Sequence, residues 1–342
     1  MGIQLQPYVD AVEAAMRGLL DAPSPAVEPL YGVMRYHLGW ADRDLRPISA
    51  PSGKRVRPLF CLLSCQAVGG DWQTAIPLAA GIELIHNFSL IHDDIEDRSA
   101  IRHHRPTVWA EWGVPQAINT GDAMFALARL AVHRLAAAGV PAEIVLAVLQ
   151  RLEETSLALC RGQYLDMAFE SQPEVSLAQY MEMIEGKTAA LLACSTETGA
   201  LLGAGLAGPH AAFRSFGREL GLAFQIVDDI LGIWGDPAVT GKPAADDIRN
   251  RKKSFPILYA MEVEASRGET ELKALMAKPA LSEGDIAAAI RCVERAGGRE
   301  RANALAQEHT ERALAALGQA VPPSSARQAL HDLALTLVGR DR

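Results

Sequence analysis

The chain has 342 residues, 49% of them hydrophobic, and a formal charge of −8 at neutral pH. That is enough apolar material for a large core, which excludes disorder as the default, and no arm of clustered lysine and arginine offsets the charge, which argues against nucleic acid as a partner. The cysteines, Cys61, Cys65, Cys160, Cys194 and Cys292, have no second Cys or His pair to complete a zinc site, so a reduced, cytoplasmic protein is the simplest reading.

Along the chain, apolar residues recur at helical spacing, beginning with Val9, Val12, Met16 and Leu19. Asp10, Glu13 and Arg17 make this start an amphipathic helix and not a secretion signal, and Gly2 lacks the Ser or Thr at position 6 that myristoylation needs. The same spacing returns at Val145, Val148, Leu149 and Leu152, and at Leu330, Leu333 and Leu337. Breaks fall at Pro23 and Pro25, Gly69-Gly70, Gly139 to Pro141, Ser171 to Pro173, Gly208-Pro209, Gly235 to Pro243 and Pro322-Pro323. About a dozen helices fit between them, with no convincing alternating strand. No break is long or polar enough for an interdomain linker, so residues 1–342 are expected to form one all-α domain. The longest uncharged stretch, Thr198 to Phe213, is interrupted by four glycines, a proline and a histidine and is too short to span a bilayer.

Two of the predicted helices end in acid: Asp93-Asp94-Ile95-Glu96-Asp97 and Asp228-Asp229-Ile230-Leu231-Gly232. Asp93 and Asp97 are four apart and share a helix face, with Asp94 about a quarter turn round. Two carboxylates roughly 4 Å apart repel by about 4 kcal/mol at an effective dielectric near 20. A cation is therefore expected, and oxygen ligands without cysteine favour a hard one such as Mg²⁺. The alternative for either motif alone is a solvated acidic helix end.

A basic set answers the acids. Lys54 and Arg57 precede the apolar run Leu59 to Val68, Arg102 and Arg105 follow the first acidic motif, Lys187-Thr188 opens another apolar run, and Lys242, Lys252 and Lys253 follow the second motif. Cations beside metal-binding acids suit an oligophosphate substrate. For Arg55 and Lys253, ordinary surface charge is the competing reading. The stretches Phe88 to Asp94 and Phe224 to Asp229 also resemble each other, each an aromatic residue leading through mostly apolar residues to an Asp pair.

Taken in order, Gly53-Lys54-Arg55-Val56-Arg57-Pro58, His86 to Asp97, Arg105-Pro106-Thr107, Gly162-Gln163-Tyr164-Leu165-Asp166, Gly186-Lys187-Thr188, Phe224 to Asp229 and Gly241-Lys242-Pro243 resemble the motifs of trans-isoprenyl diphosphate synthases of the polyprenyl synthetase family. They cover roughly residues 50–260, with helices 261–342 expected to belong to the same domain. The resemblance implies the all-α isoprenoid synthase fold, a bundle with a central cavity, and chain elongation by ionisation. It implies Mg²⁺, three ions in the family, held by Asp93, Asp97 and Asp228, with Asp94 and Asp229 beside them. Arg102, Lys187, Lys242 and Lys252 would contact diphosphate. Lys54, Arg57 and His86 would hold isopentenyl diphosphate, while Thr188 and Gln225 would stabilise the allylic cation. It also implies a homodimer. His92 reads as structural.

Four positions depart from the family or tune it. Gly232 stands where the family usually has the last Asp, so metal binding there should rest mainly on Asp228, with Asp229 and Asp236 or Asp247 further out. His103 stands where a second Arg is common and would be mostly neutral near pH 7.5, since an unperturbed imidazole has a pKa of about 6.5. Four and five residues before Asp93 lie Ser89 and Phe88, a small residue and a ring; in the family this accompanies products of fifteen to twenty carbons, so geranylgeranyl diphosphate is expected, with farnesyl diphosphate next. A class I terpene cyclase shares the first motif but needs a different second one, and leaves Lys54 and Arg57 without use. A metal phosphohydrolase built on His92-Asp93 lacks a second ligand set. A non-catalytic subunit of a heteromeric prenyl synthase should show eroded aspartates, and Gly232 and His103 are only mild erosion.

Overall fold

The computed structural model describes residues 3–50, 53, 55–237 and 243–339. By contacts the chain divides into two compact units whose segments alternate along the sequence. The first comprises Met1–Ser156, Cys194–Arg214 and Ala320–Leu330, the second Leu157–Ala193, Ser215–Gln319 and His331–Arg342.

The central element of the first unit is the helix Ile76–Glu96. A 3₁₀ turn, Trp72–Ala75, leads into it, started by Asp71, whose side chain accepts the Gln73 N–H. The helix is buried almost all round from Leu78 to Ile85, as an element enclosed on several sides must be. It packs most extensively on Val114–Ala137, and also on Gln6–Arg17 and Val56–Ala67. By length and composition the stretch Trp72–Glu96 could cross a membrane, but 61% of its most apolar window is buried within the protein. Its Glu83 is 4% exposed and is satisfied by the Arg55 guanidinium at 2.8 Å, an arrangement of a protein core.

In the second unit the organising element is the portion of His210–Trp234 from Ser215 onward. Leu222, Ile226 and Ile230 recur four apart and join Tyr180, Ile184, Phe255 and Leu258 in one core cluster. Ile233 turns to a second cluster with Ile248, Ile257, Leu272 and Val293. Each such fully buried side chain contributes roughly 1.5–3 kcal/mol. Because that stripe faces inward, Asp228 comes out on the exposed side of the same helix.

The expectation of an all-α chain is met, with two differences. Sixteen α-helices stand among the described residues, more than the breaks suggested, because short ones such as Val108–Trp112, Asp246–Arg249 and Glu271–Met276 carry too few residues to show a period. There is also a two-stranded antiparallel ribbon, Ile101–Arg102 with Arg105–Pro106, that no alternation announced. Two-residue strands are too short to alternate; the turn makes this one.

Candidate active site

In the first unit the acidic motif occupies the last turn of Ile76–Glu96, with Asp97 as the C-cap, its N–H donating to the Asp93 carbonyl at 2.8 Å. A helix C-terminus already carries about half a negative charge, so three carboxylates placed there deepen a negative potential. The three are not equivalent. Asp94 is 1% exposed, and its Oδ1 accepts both Nε and Nη2 of Arg102 at 2.9 Å, while Asp93 is half-buried and Asp97 exposed. Burial pushes the Asp94 carboxyl up in pKa, with Arg102 pulling the other way. Its second oxygen is buried with no hydrogen-bond partner among the described residues.

Arg102 is aimed by the ribbon. The two residues of its turn, His103 and His104, have φ of 50° and 62°, the pattern of a type I′ hairpin turn that usually takes Asn-Gly. His tolerates this region better than most side chains. His103 is exposed, and burial, Arg102 and His104 lower its pKa, so it is neutral near pH 7.5. Arg105 is a scaffold residue: it donates to the carbonyls of Tyr36 at 3.0 Å and Ala41 at 2.6 Å and stacks on the Tyr36 ring.

The structure brings Arg57 and His86 together, Nη1 standing 3.2 Å from Nε2. Burial first, then Arg57 and Arg102, push the His86 pKa well down, so a neutral imidazole accepts from the guanidinium. His37, which no motif signalled, belongs to the same cationic region; burial, then Arg102, His103, Arg55 and Arg105 push it down to about 3. Arg55 corrects the surface-charge reading. It is 3% exposed and paired with Glu83 and, at 3.4 Å, with Glu13. Lys253 is half-buried, which lowers its pKa. Lys54 and Lys242 lie outside the described residues.

Beneath this region Phe88 packs on Phe125 of Val114–Ala137, centroids 4.6 Å apart, and edge-on against His92 at 5.7 Å. His92 lies against Gly121, where any side chain would meet its ring. Ser89 donates back to the His86 carbonyl at 2.9 Å.

The second unit holds the other motif in a continuous polar chain. Thr188 Oγ1 donates to Gln225 Oε1 at 2.7 Å, Gln225 Nε2 to Asp229 Oδ1 at 3.1 Å, and Asp229 Oδ2 accepts the Tyr180 hydroxyl at 2.6 Å and the Phe255 N–H at 2.9 Å. Asp229 is 2% exposed and Asp228 exposed, so both Asp pairs divide in the same way, the second residue inward and bonded, the first outward. Burial raises the Asp229 carboxyl, against Lys252, Tyr180 and the Phe255 amide. Lys187 and Thr188 lie on a π-helical turn, Glu185–Ala189, and Lys187 pairs with Asp166. The turn is seated where Gly162 meets Gly186 and Lys187 backbone to backbone, leaving no room for a side chain at 162. Lys252 is flanked by Asp229, Asp247, Asp166 and Asp228, whose charges outweigh burial and raise its pKa. Sequence reasoning missed Tyr180, which carries no local signal, and quoted Gln163 within a motif without giving it a role; both of its amide atoms are buried without a partner among the described residues.

The donor set fits a divalent cation in each unit. Asp93 and Asp97 crown a helix end whose last turn carries no basic residue of its own, and the carboxylates of Asp166, Asp228, Asp229 and Asp247 stand around the Lys252 ammonium, with Lys187 paired to Asp166. By contrast, the close trio Glu264, Glu271 and Cys292 is already bridged by the Arg295 guanidinium.

Residues 40–293 match the family model described as polyprenyl synthetase. The chain is 39% identical over 334 residues to a (2E,6E)-farnesyl diphosphate synthase of Mycobacterium tuberculosis, covering 97% of this chain and 91% of the relative. It is 43% identical over 295 residues to a geranylgeranyl diphosphate synthase of the same organism, covering 86% and 83%. Among solved structures, a polyprenyl synthetase from Streptomyces coelicolor superposes with a TM-score of 0.88 at 36% identity, covering 97% of this chain and 98% of that one.

Proposed function

The chain belongs to the polyprenyl synthetase family and is a short-chain trans-prenyltransferase of the all-α isoprenoid synthase fold, and from that premise we propose how its residues divide the work. The observation that carries the reading is the matched pair of Asp-Asp motifs, each with one carboxylate locked in hydrogen bonds and its neighbour turned outward. Asp93 and Asp97 in the first unit and Asp228 in the second are the carboxylates that would hold Mg²⁺. When bound, Mg²⁺ supplies positive charge that eases departure of a diphosphate leaving group.

The protein's own groups do the rest. Asp94 orients Arg102, and Arg102, Lys187, Lys242 and Lys252 bind diphosphate oxygens. Lys54, Arg57 and His86 hold isopentenyl diphosphate, with His103 as a further, neutral contact. The allylic C–O bond breaks, the double bond of isopentenyl diphosphate attacks the cation, and a proton leaves, with released pyrophosphate as base. Thr188 and Gln225, held in one hydrogen-bonded chain with Asp229, are fixed dipoles beside that cation and need no reorganisation. Phe88 and Ser89 set the length of the product, geranylgeranyl diphosphate first and farnesyl diphosphate next; both kinds of synthase stand among the similar proteins.

Residues 1–342 act as one domain, a reading supported by the alternation of the two units along the chain. A homodimer is supported by exposed Ile118, Leu130 and Leu146, apolar surface that a second copy would cover. Five free cysteines support a reducing, cytoplasmic setting. The test incubates the purified protein with Mg²⁺, isopentenyl diphosphate and dimethylallyl, geranyl or farnesyl diphosphate and weighs the products. All-trans prenyl diphosphates of twenty or fifteen carbons are expected, and Asp93→Ala or Asp228→Ala should reduce turnover at least a hundredfold. Cyclic hydrocarbon, or turnover untouched by both substitutions or by chelation, would overturn the reading.

A further inference from the structure

The turn that carries Lys187 and Thr188 is a π-helical insertion, Glu185–Ala189, between the α-helices Leu177–Ile184 and Ala190–Ala204. A π turn is a rare departure from the regular helical ladder and concentrates at functional sites. One extra residue in a turn swings the side chains on it to a new bearing, so contacts from outside must set where they point.

One face of the helix His210–Trp234 supplies those contacts. Arg218, Gly221 and Gln225 follow one another by three and then four residues and so share a stripe of that helix. Each meets the turn. Arg218 forks onto Glu185, the first residue of the turn, Nε donating to Oε1 at 2.7 Å and Nη2 to Oε2 at 2.6 Å. A β-carbon added at Gly221 would lie 2.5 Å from the Ala189 Cα, so there the two backbones touch. Gln225 accepts the Thr188 hydroxyl at 2.7 Å. Arg218 is itself aimed from behind. Its Nη1 donates to Glu219 Oε1 at 2.6 Å, and Glu219 Oε2 stands 2.7 Å from Nδ1 of the buried His309, on the helix Gly298–Ala320.

We infer that Arg218 and Glu185 are positioning residues for the reaction: their forked pair fixes the π turn against the helix, so that the Thr188 hydroxyl meets Gln225 and Lys187 is presented beside Asp166, while Glu219 and His309 hold the arginine in place. Two features separate this pair from ordinary surface charge. Parallel bonds from one guanidinium fix orientation as well as distance. And because 39% and 46% of the two side chains are exposed, the pair adds little to folding, which leaves orientation as its consequence. The inference rests on the proposal that Lys187 and Thr188 act on the allylic diphosphate and its cation, and the test separates the two.

The experiment follows turnover of geranyl diphosphate and isopentenyl diphosphate by the full chain, together with thermal melting. Arg218→Gln and Glu185→Gln, which remove the fork but keep the length, should each lower kcat/KM for geranyl diphosphate about tenfold, since small misplacements of a reacting group are costly. KM for isopentenyl diphosphate should stay within about twofold, and the melting temperature within about 3 °C of the parent. In a Thr188→Ala background the further loss from Arg218→Gln should shrink to about threefold or less, because residues that act through one another are not additive. If Arg218→Gln melts early, Glu185→Gln carries the test, since it leaves Arg218, Glu219 and His309 together. Unchanged kcat/KM in Glu185→Gln and Arg218→Gln, with turnover lost in Lys187→Ala, overturns this inference and leaves the reading of the turn standing. So does a tenfold loss that persists in the Thr188→Ala background, or one that raises both KM values equally as the melting temperature falls. Full turnover in both Lys187→Ala and Thr188→Ala overturns the reading on which the inference rests.

Discussion

At the scale of single residues, neighbours decide charge. His103 occupies a place where its pKa is lowered, so protonation, which would favour an anionic diphosphate, is complete only at pH values below the ordinary 6.5 and is lost as pH rises through the depressed value. The KM for isopentenyl diphosphate should accordingly rise as pH is raised through that depressed value, below 6.5, and level off toward neutrality. His103→Arg should remove that slope and lower KM near pH 8 by roughly fivefold, since an exposed, screened ionic contact is worth about 1 kcal/mol. An identical pH profile in the two proteins would count against the contact. Phe88 has a partner that its motif did not reveal. Because the Phe125 ring lies 4.6 Å away, Phe88→Ala should lengthen products by about one five-carbon unit, and Phe88→Ala with Phe125→Ala should lengthen them further. Mass spectrometry of products checks both, and an unaltered distribution in the double variant would refute the assignment of the floor.

Elements place these residues, and here some features were legible and others not. The acidic helix ends could be read from residue type and spacing, whereas Arg57, His86, Thr188 and Gln225 receive their roles only through the resemblance to the family's motifs, and the pairings of Arg57 with His86 and of Thr188 with Gln225 come from the structure. Which aspartate of each pair turns inward could not be read, because it depends on Arg102 eight residues on and on Tyr180 forty-nine residues before Asp229. The burial of Arg55 depends likewise on Glu83, and the crowding at Gly232 on the carboxylate of Asp247. The π-helical turn has no periodic signature at five residues, yet its seat is visible as Gly162 and Gly186. Overpacking a backbone contact typically costs 1–3 kcal/mol. Gly162→Ala must push on the turn that carries Lys187 and Thr188, so we expect kcat/KM to fall at least tenfold while far-ultraviolet circular dichroism keeps its helical shape. Full activity with an alanine at 162 would mean that the turn's placement is not what turnover requires.

For the whole molecule, the motifs end well before the structure does. The matched family region closes at residue 293, and sequence reasoning assigned helices 261–342 to the same domain only because no linker intervened. The structure supplies a physical reason to expect that they cannot be removed. Ala320–Leu330 is part of the first unit although it follows some three hundred residues of chain, and it buries Val321, Ala326 and Leu330 there, with Arg327 donating to the Val321 carbonyl at 3.0 Å. Burying one Val, one Leu and one Ala side chain contributes about 4–6 kcal/mol, a large share of the 5–15 kcal/mol that keeps a typical domain folded. A chain ending at Gln319 retains every residue assigned to chemistry, so if the motif region were self-sufficient it would remain active. Its loss should instead uncover the apolar surface that these side chains cover and lower the melting temperature by more than 10 °C, or leave no soluble protein. Thermal melting of the shortened chain against the full one decides the matter: equal melting and equal turnover would show that the C-terminal segment is an appendage, whereas collapse of both, with the catalytic residues intact, would show that the site depends on a unit closed from the far end of the sequence.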